Sequence, residues 1–134
     1  MTSKVIYLGD LRTQCVHFSS GKVFITDAPT DNNGKGEAFS PTDTVATALA
    51  SCMLTVMGIK AADMAVELLN SSAEVTKFMV ASPRRISKIE VVLKLPKRVS
   101  DKEKAILENT AKTCPVLQSL HPDIIKEIVF QWDF

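Results

Sequence analysis

The sequence predicts an α+β fold, with bent antiparallel sheets around a buried central helix and the element order βββ-α-ββ-α-α-β. Three observations predict it: short β-prone segments at the start, one long apolar helical segment after them, and a mixture of strands and short helices beyond it. The chain has 134 residues, of which 46% are hydrophobic. It is therefore long enough to bury a core, and we expect a single domain over residues 1–134.

Three β-prone segments open the chain and are separated by turn residues at 9–10 and 19–21. This pattern predicts an antiparallel meander of strands at residues 4–8, 11–18 and 22–26. Residues 27–37 contain proline, asparagine and glycine at close spacing, which predicts a loop.

The sequence Ser40-Pro41-Thr42-Asp43 predicts the start of a helix. Ser40 is a suitable N-cap, Pro41 suits the first helical position, and Asp43 can accept a hydrogen bond from the Ser40 backbone. Residues 44–59 are almost uncharged and would be apolar on nearly every face of a helix, but this stretch is too short to span a bilayer comfortably. We therefore expect no membrane contact, and a helix wrapped by the rest of the fold or by a partner.

The second half of the chain alternates strand and helix patterns. Two alternating segments joined by a turn at 81–85 predict strands, and a helix with Ser100 as its cap follows. Pro115 ends that helix and can open a short one that ends near residue 121. The predicted strands are residues 73–80, 88–95 and 124–134, and the longer helix is residues 101–113.

Charge and composition exclude several classes of function. The 16 basic and 15 acidic residues nearly cancel, so we expect no nucleic-acid partner. The first eight residues lack the basic and apolar pattern of a secretory signal, so we expect a cytoplasmic location and reduced thiols. We also expect no cofactor and no metal, because the chain has only His17 and His121 and no C-x-x-C motif.

Cys52 lies in the middle of the apolar helix, on a stripe that includes Leu49 and Val56. Cysteine at such a position often acts as a small buried hydrophobe, and burial would raise its pKa. A reactive Cys52 therefore needs a cation brought to it by another part of the fold.

Cys114 stands directly before Pro115 at the predicted start of the last short helix. Free backbone amides and the helix dipole there favour a thiolate, so on local grounds Cys114 is the more acidic thiol. The alternative is a cysteine that fills a junction between two helices. Cys15, within a predicted strand, is expected to contribute packing only.

Two thiols together allow a redox cycle. A hydroperoxide oxidises one thiolate to a sulfenic acid, and a second thiol then condenses with the sulfenic acid to form a disulfide. Whether Cys52 and Cys114 approach closely enough for a disulfide cannot be read from their spacing.

Three motifs together resemble the osmotically inducible protein C and organic hydroperoxide resistance (OsmC/Ohr) family. They are Ser40-Pro41-Thr42-Asp43, then Ala50-Ser51-Cys52-Met53 on the apolar helix, then Thr113-Cys114-Pro115-Val116. The element order over nearly the whole chain is also similar to that family. The resemblance implies an intertwined homodimer whose central helices are buried between subunits.

The resemblance also implies thiol-dependent reduction of organic hydroperoxides, with Cys52 as peroxidatic and Cys114 as resolving cysteine. A lipoyl-type or other dithiol would be the reductant. In well-characterised members an arginine and a glutamate activate the reacting cysteine. Arg12 is the first candidate for that arginine, with Arg84 or Arg85 as alternatives.

The sequence departs from the family at the glutamate, because Thr42 occupies that position. Asp43 is close in sequence, but nine residues of helix place it on nearly the opposite face from Cys52. Asp43 is better explained as the acid of the capping box.

Two hypotheses therefore stand. The first is a thiol peroxidase that uses Cys52, Cys114 and Arg12. The second is a non-catalytic relative that binds a small apolar ligand at the dimer interface.

Overall fold

Six strands form two separate three-stranded sheets, with strand orders β1-β2-β3 and β4-β5-β6. The computed structural model describes residues 1–134. The predicted α+β class and element order are confirmed. The chain divides into two units, residues 1–45 and residues 46–134. A single functional domain over residues 1–134 stays a prediction.

The first unit contains the predicted antiparallel meander: β1 (Ser3–Gly9), β2 (Arg12–His17) and β3 (Val23–Asp27). Leu11, which we expected in β2, belongs to the turn instead. Asp10 and Leu11 have φ values of 53° and 63°, and tight hairpins that match the strand twist require positive φ at their central residues. The strand therefore begins one residue later than predicted.

A loop follows β3, as predicted, and contains a single 3₁₀ turn (Thr30–Asn32). Gly34 is required there, because a Cβ atom at that position would overlap the backbone carbonyl of Ala28. The Gly34 N–H donates a 2.9 Å hydrogen bond to the Pro29 carbonyl. The loop is thus closed on itself by backbone contacts.

The predicted capping box is present at the start of the central helix. The Asp43 N–H donates to Ser40 Oγ at 3.0 Å, and the Ser40 N–H donates to Asp43 Oδ2 at 2.9 Å. Thr42 Oγ1 lies 3.2 Å from Ser40 Oγ. Asp43 therefore serves the helix terminus, as the sequence indicated.

The central helix, α1 (Pro41–Asp63), is longer than its apolar stretch. One of its faces packs into the core of the second unit, while the opposite face is exposed in this chain. The prediction of a buried helix is thus right for one face. By length and composition α1 could also cross a membrane, and a third of its most apolar window is buried inside the protein. The buried residues are Ala46, Leu49, Ala50, Met53, Met57 and Ala61.

The second sheet is mixed, with β5 (Arg85–Leu95) at its centre. It pairs antiparallel with β4 (Ser72–Val80) and parallel with β6 (Ile125–Trp132). The expectation of purely antiparallel sheets is therefore wrong for β6. The reason is the long connection at residues 96–124, which carries two helices and returns the chain to the end where β5 began.

That connection contains α2 (Asp101–Ala111) and α3 (Pro115–Ser119). Ser100 caps α2 as predicted and forms a full capping box with Glu103. The inward residues of β5 and α2 are fully buried with the apolar face of α1. Cys114, at the junction of α2 and α3, belongs to the same core.

Candidate functional site

The middle of α1 places Cys52 at the border between the buried and exposed faces of the helix. Leu49 and Met53 beside it are fully buried, whereas Ser51 is exposed and Cys52 itself is partly exposed. The Cys52 side chain packs against the core of the second unit. Cys52 is therefore a free thiol that touches the core and still reaches the surface of this chain.

Cys114 has a different environment, because it is fully buried. It is the N-cap residue of α3, and its Sγ accepts a 3.3 Å hydrogen bond from the Leu117 N–H. The chain thus uses the thiol where many helices use a serine or aspartate side chain. Cys114 thus lies at a helix start, as predicted, and it also fills the junction between two helices, which was the alternative interpretation.

Burial raises the pKa of the Cys114 thiol above its ordinary value. The Leu117 and Val116 amides lower the pKa, but their effect is smaller than the cost of placing a thiolate in the core. On local grounds the sequence indicated that Cys114 is the more acidic thiol, and burial in the fold acts against that expectation. The amides at the helix start do lower the pKa of Cys114, but burial by distant parts of the chain raises it by more.

The structure brings Cys52 and Cys114 together. Cys52 lies close enough to the Cys114 thiol to add to the rise in the Cys114 pKa. Both thiols are free rather than joined in a disulfide. Two segments far apart in sequence, α1 and the start of α3, thus present a partly exposed sulfur to a buried one.

Arg12, the third candidate, lies in β2 and is held by carboxylates of the first unit. Its Nε donates to Asp27 Oδ1 at 2.7 Å, and its Nη2 donates to Asp27 Oδ2 at 2.9 Å. Nη2 also donates to Glu37 Oε2 at 3.2 Å. The hydrogen bonds from Arg12 hold the pKa of Asp27 below its usual range, and Asp27 in turn raises the pKa of Arg12.

Sequence reasoning missed Asp27 because it searched for an acid near Thr42. The signal was present in the predicted meander, since Arg12 and Asp27 stand directly opposite each other on β2 and β3. Opposite charges at such a cross-strand position attract and help to set the register. Glu37 carries no comparable signal, because it lies in the loop beyond Gly36.

The alternative arginines lie where the exposed turn meets β5, and Arg85 is the first residue of that strand. Arg85 donates a 3.2 Å hydrogen bond to the Pro83 carbonyl, and Arg84 is exposed as well. Cys15 is half-buried in β2, where its Sγ lies 3.9 Å from Thr13 Oγ1. These contacts fit the packing role that we expected for Cys15.

No group of three or more His, Cys, Asp or Glu side chains in residues 1–134 could hold a metal ion. His17 Nδ1 lies 2.6 Å from Ser20 Oγ, and His121 lies on an exposed loop near Asp123. The two histidines thus have local polar partners.

A model of the OsmC-like protein family matches residues 34–128. This range includes Cys52, Cys114 and the capping box at Ser40. The chain belongs to the OsmC-like family. No curated protein matches it.

Solved structures of this family share the fold. One is a Psychrobacter arcticus protein, described as a proposed osmotic stress induced and detoxification response protein. It is 53% identical, with a TM-score of 0.94, and the match covers 98% of this chain and 96% of that one.

Two more distant structures are organic hydroperoxide resistance proteins. The one from Legionella pneumophila, also named OsmC, is 15% identical with a TM-score of 0.76, and the match covers 98% and 97% of the two chains. The one from Elizabethkingia anophelis is 12% identical with a TM-score of 0.77 and coverages of 99% and 97%. At these identities the similarity establishes the fold alone.

Proposed function

We propose that this OsmC-like protein is a thiol peroxidase that reduces organic hydroperoxides through Cys52 and Cys114. The observation that carries the proposal is the proximity of a partly exposed thiol to a fully buried one. The names of the distant structural relatives, which are organic hydroperoxide resistance proteins, support the same reaction.

The exposure of the two thiols assigns their roles. Cys52 can meet a hydroperoxide, so its thiolate attacks the distal oxygen and the O–O bond breaks. The leaving alkoxide takes up a proton and departs as the alcohol, while Cys52 becomes a sulfenic acid. Cys114 is excluded from solvent and its raised pKa keeps it protonated, so it does not compete for the peroxide.

Cys114 then resolves the sulfenic acid. Its sulfur attacks the Cys52 sulfur, its proton goes to the departing hydroxide, and water and a Cys52–Cys114 disulfide result. A dithiol such as a lipoyl group reduces that disulfide by exchange and becomes a disulfide itself. Both protein thiols are thereby restored.

By resemblance to the family, we propose Arg12 as the group that stabilises the anion formed in this reaction. Its guanidinium stays charged at every physiological pH and is already ordered by carboxylates.

We further propose a cytoplasmic homodimer. The support is the amount of apolar surface that this chain leaves exposed, on the first sheet and on the outer face of α1. Val5, Tyr7 and Phe24 are examples on the sheet.

A peroxidase assay tests the proposal. We expect turnover of cumene hydroperoxide with dihydrolipoamide as reductant, abolished in Cys52→Ser and strongly reduced in Cys114→Ser. Cys15→Ser is the matched control, since Cys15 is a free thiol outside the pair, and it should keep wild-type turnover. Turnover that survives Cys52→Ser contradicts the proposal.

A non-catalytic binding protein is the second candidate, and two observations favour it. Thr42 replaces the family glutamate, and a cavity of about 430 Å³ lies between the end of α1 and the 66–71 segment. Leu54, Val66 and Leu68 give this cavity an apolar lining, and the buried Ser71 Oγ has no hydrogen-bond partner. Native mass spectrometry of freshly purified protein separates the candidates: bound ligand with thiols inert to peroxide supports binding alone.

A further inference from the structure

The sulfurs of Cys52 and Cys114 differ in their access to solvent, although both belong to the unit of residues 46–134. Cys52 is partly exposed at the border of the outer face of α1, whereas Cys114 is 0% exposed. A thiolate that reduces a disulfide attacks one sulfur and displaces the other, and access helps to decide which sulfur is attacked. With Cys114 held in the core, an external dithiol reaches the pair from the side of Cys52.

Attack at Cys52 makes Cys114 the leaving thiol, so negative charge forms on a buried sulfur. Burial raises the pKa of the Cys114 thiol, and a thiol with a higher pKa leaves a disulfide more slowly. The reduction therefore needs a hydrogen-bond donor next to the Cys114 sulfur, inside the core.

The backbone N–H of Leu117 is such a donor. It donates to Cys114 Sγ at 3.3 Å, and together with the Val116 amide it lowers the pKa of the thiol, against the effect of burial. Leu117 lies in the first turn of α3, where a backbone N–H has no acceptor within the helix. A hydrogen bond to a charged group is stronger than one to a neutral group, so this contact gains strength as the thiolate forms.

We propose that the external dithiol attacks the Cys52 sulfur, and that the Leu117 N–H stabilises Cys114 as it leaves as a thiolate. This inference rests on the proposed function and orders its reductive half. The bond between the two protein sulfurs breaks, a bond between Cys52 and the dithiol forms, and the proton of the attacking thiol passes to Cys114. The second thiol of the reductant then attacks the sulfur of the first, and Cys52 leaves and takes up the second proton. The reductant departs as a disulfide.

The position of the first adduct tests which sulfur is attacked. Cys15→Ser protein is oxidised with one equivalent of cumene hydroperoxide, mixed with 2-mercaptoethanol and quenched rapidly in acid. A monothiol is used because it cannot displace itself by closing a ring. Peptide mass spectrometry should find the adduct chiefly on Cys52, with Cys114 as a free thiol. An adduct chiefly on Cys114 overturns the proposal and leaves the proposed function intact.

Replacement of one backbone amide by an ester tests the donor. An ester at Leu117, introduced by nonsense suppression with the matching hydroxy acid, removes the N–H and keeps the side chain. Dihydrolipoamide should then reduce the preformed disulfide about fivefold more slowly than in the wild type. An ester at Gln118 is the matched control, because the Gln118 N–H donates to the Cys114 carbonyl at 3.2 Å and not to the sulfur. Its rate should stay within about twofold of the wild type.

The outcomes separate the donor from the general stability of α3. Equal losses in the two ester proteins, or a wild-type rate in the Leu117 ester, overturn the role of the Leu117 N–H. Circular dichroism checks that both ester proteins are folded, and the adduct experiment needs neither of them. If peroxide forms no disulfide between Cys52 and Cys114, the proposed function fails and this inference fails with it.

Discussion

Cys52 in the middle of α1 lies close enough to Cys114, at the start of α3, to raise the pKa of the Cys114 thiol. The contact is asymmetric. Cys114 is held in the core, with the Leu117 N–H directed at its sulfur, whereas Cys52 lies at the border of an exposed helix face. In the proposed reaction, this asymmetry makes Cys52 the attacking thiol and Cys114 the resolving thiol.

The first prediction concerns the sulfenic acid on Cys52. In Cys114→Ser the resolving thiol is absent, so the sulfenic acid should persist long enough to be trapped by dimedone. Peptide mass spectrometry should find the dimedone adduct on Cys52. The adduct should be weak in the wild type, where Cys114 consumes the sulfenic acid. An adduct chiefly on Cys15 would contradict the assignment of Cys52.

The second prediction concerns stability against pH. Burial raises the pKa of Cys114 in the folded protein, so the native state keeps its proton at a pH where the unfolded chain has lost it. The stabilisation is complete below the unfolded thiol pKa, about 8.5, and is lost as pH rises from there through the higher folded value.

Urea titrations from pH 7 to 10 measure this effect. The fall in the free energy of unfolding should be smaller in Cys114→Ala than in the wild type, whatever the stability of the variant at pH 7. Cys15→Ala is the control and should retain the wild-type slope. Equal slopes in all three proteins would show that Cys114 does not titrate as described.

The sequence predicted those parts of the fold that depend on local signals. The capping boxes at Ser40 and Ser100 and the first meander follow from residue types at short spacing, and all three are present. The pairing of β6 and the burial of Cys114 depend on contacts between distant segments. No local pattern encodes them, so the sequence predicted antiparallel pairing for β6 and left the burial of Cys114 open.

In the candidate site, too, local motifs predicted single residues, whereas contacts between distant segments could not be predicted. Cys52 and Cys114 came from motifs, and their contact was open until the structure placed them together. Asp27 was missed although it faces Arg12 across the meander. The strand register was needed to see that pair, and a prediction of strands without register could not give it.

The third prediction concerns the start of α1. Ser40→Ala removes the side chain that accepts the Asp43 N–H, so it should lower the free energy of unfolding by about 1 kcal/mol. Urea denaturation measures the loss. Ser51→Ala, on the exposed face of the same helix, is the control and should be neutral or slightly stabilising. A neutral Ser40→Ala would mean that the capping box does not support the helix.

The fourth prediction concerns the proposed homodimer. Val5 and Phe24 both stand opposite Cys15, on one face of the first sheet, and each is more than half exposed. If a second copy covers this face, Phe24→Asp should shift the protein from dimer to monomer in sedimentation velocity. Lys102→Asp, a charge change on the exposed side of α2, should leave the dimer unchanged. A monomeric wild type would refute the homodimer.

The central claim is tested most directly by a single turnover without reductant. Fully reduced protein is mixed with one equivalent of cumene hydroperoxide, and free thiols, disulfide-linked peptides and released alcohol are measured together. We predict that two of the three thiols disappear, that Cys52 and Cys114 are recovered in one linked peptide, and that one equivalent of alcohol forms. Three free thiols and no alcohol after mixing would contradict the peroxidase account.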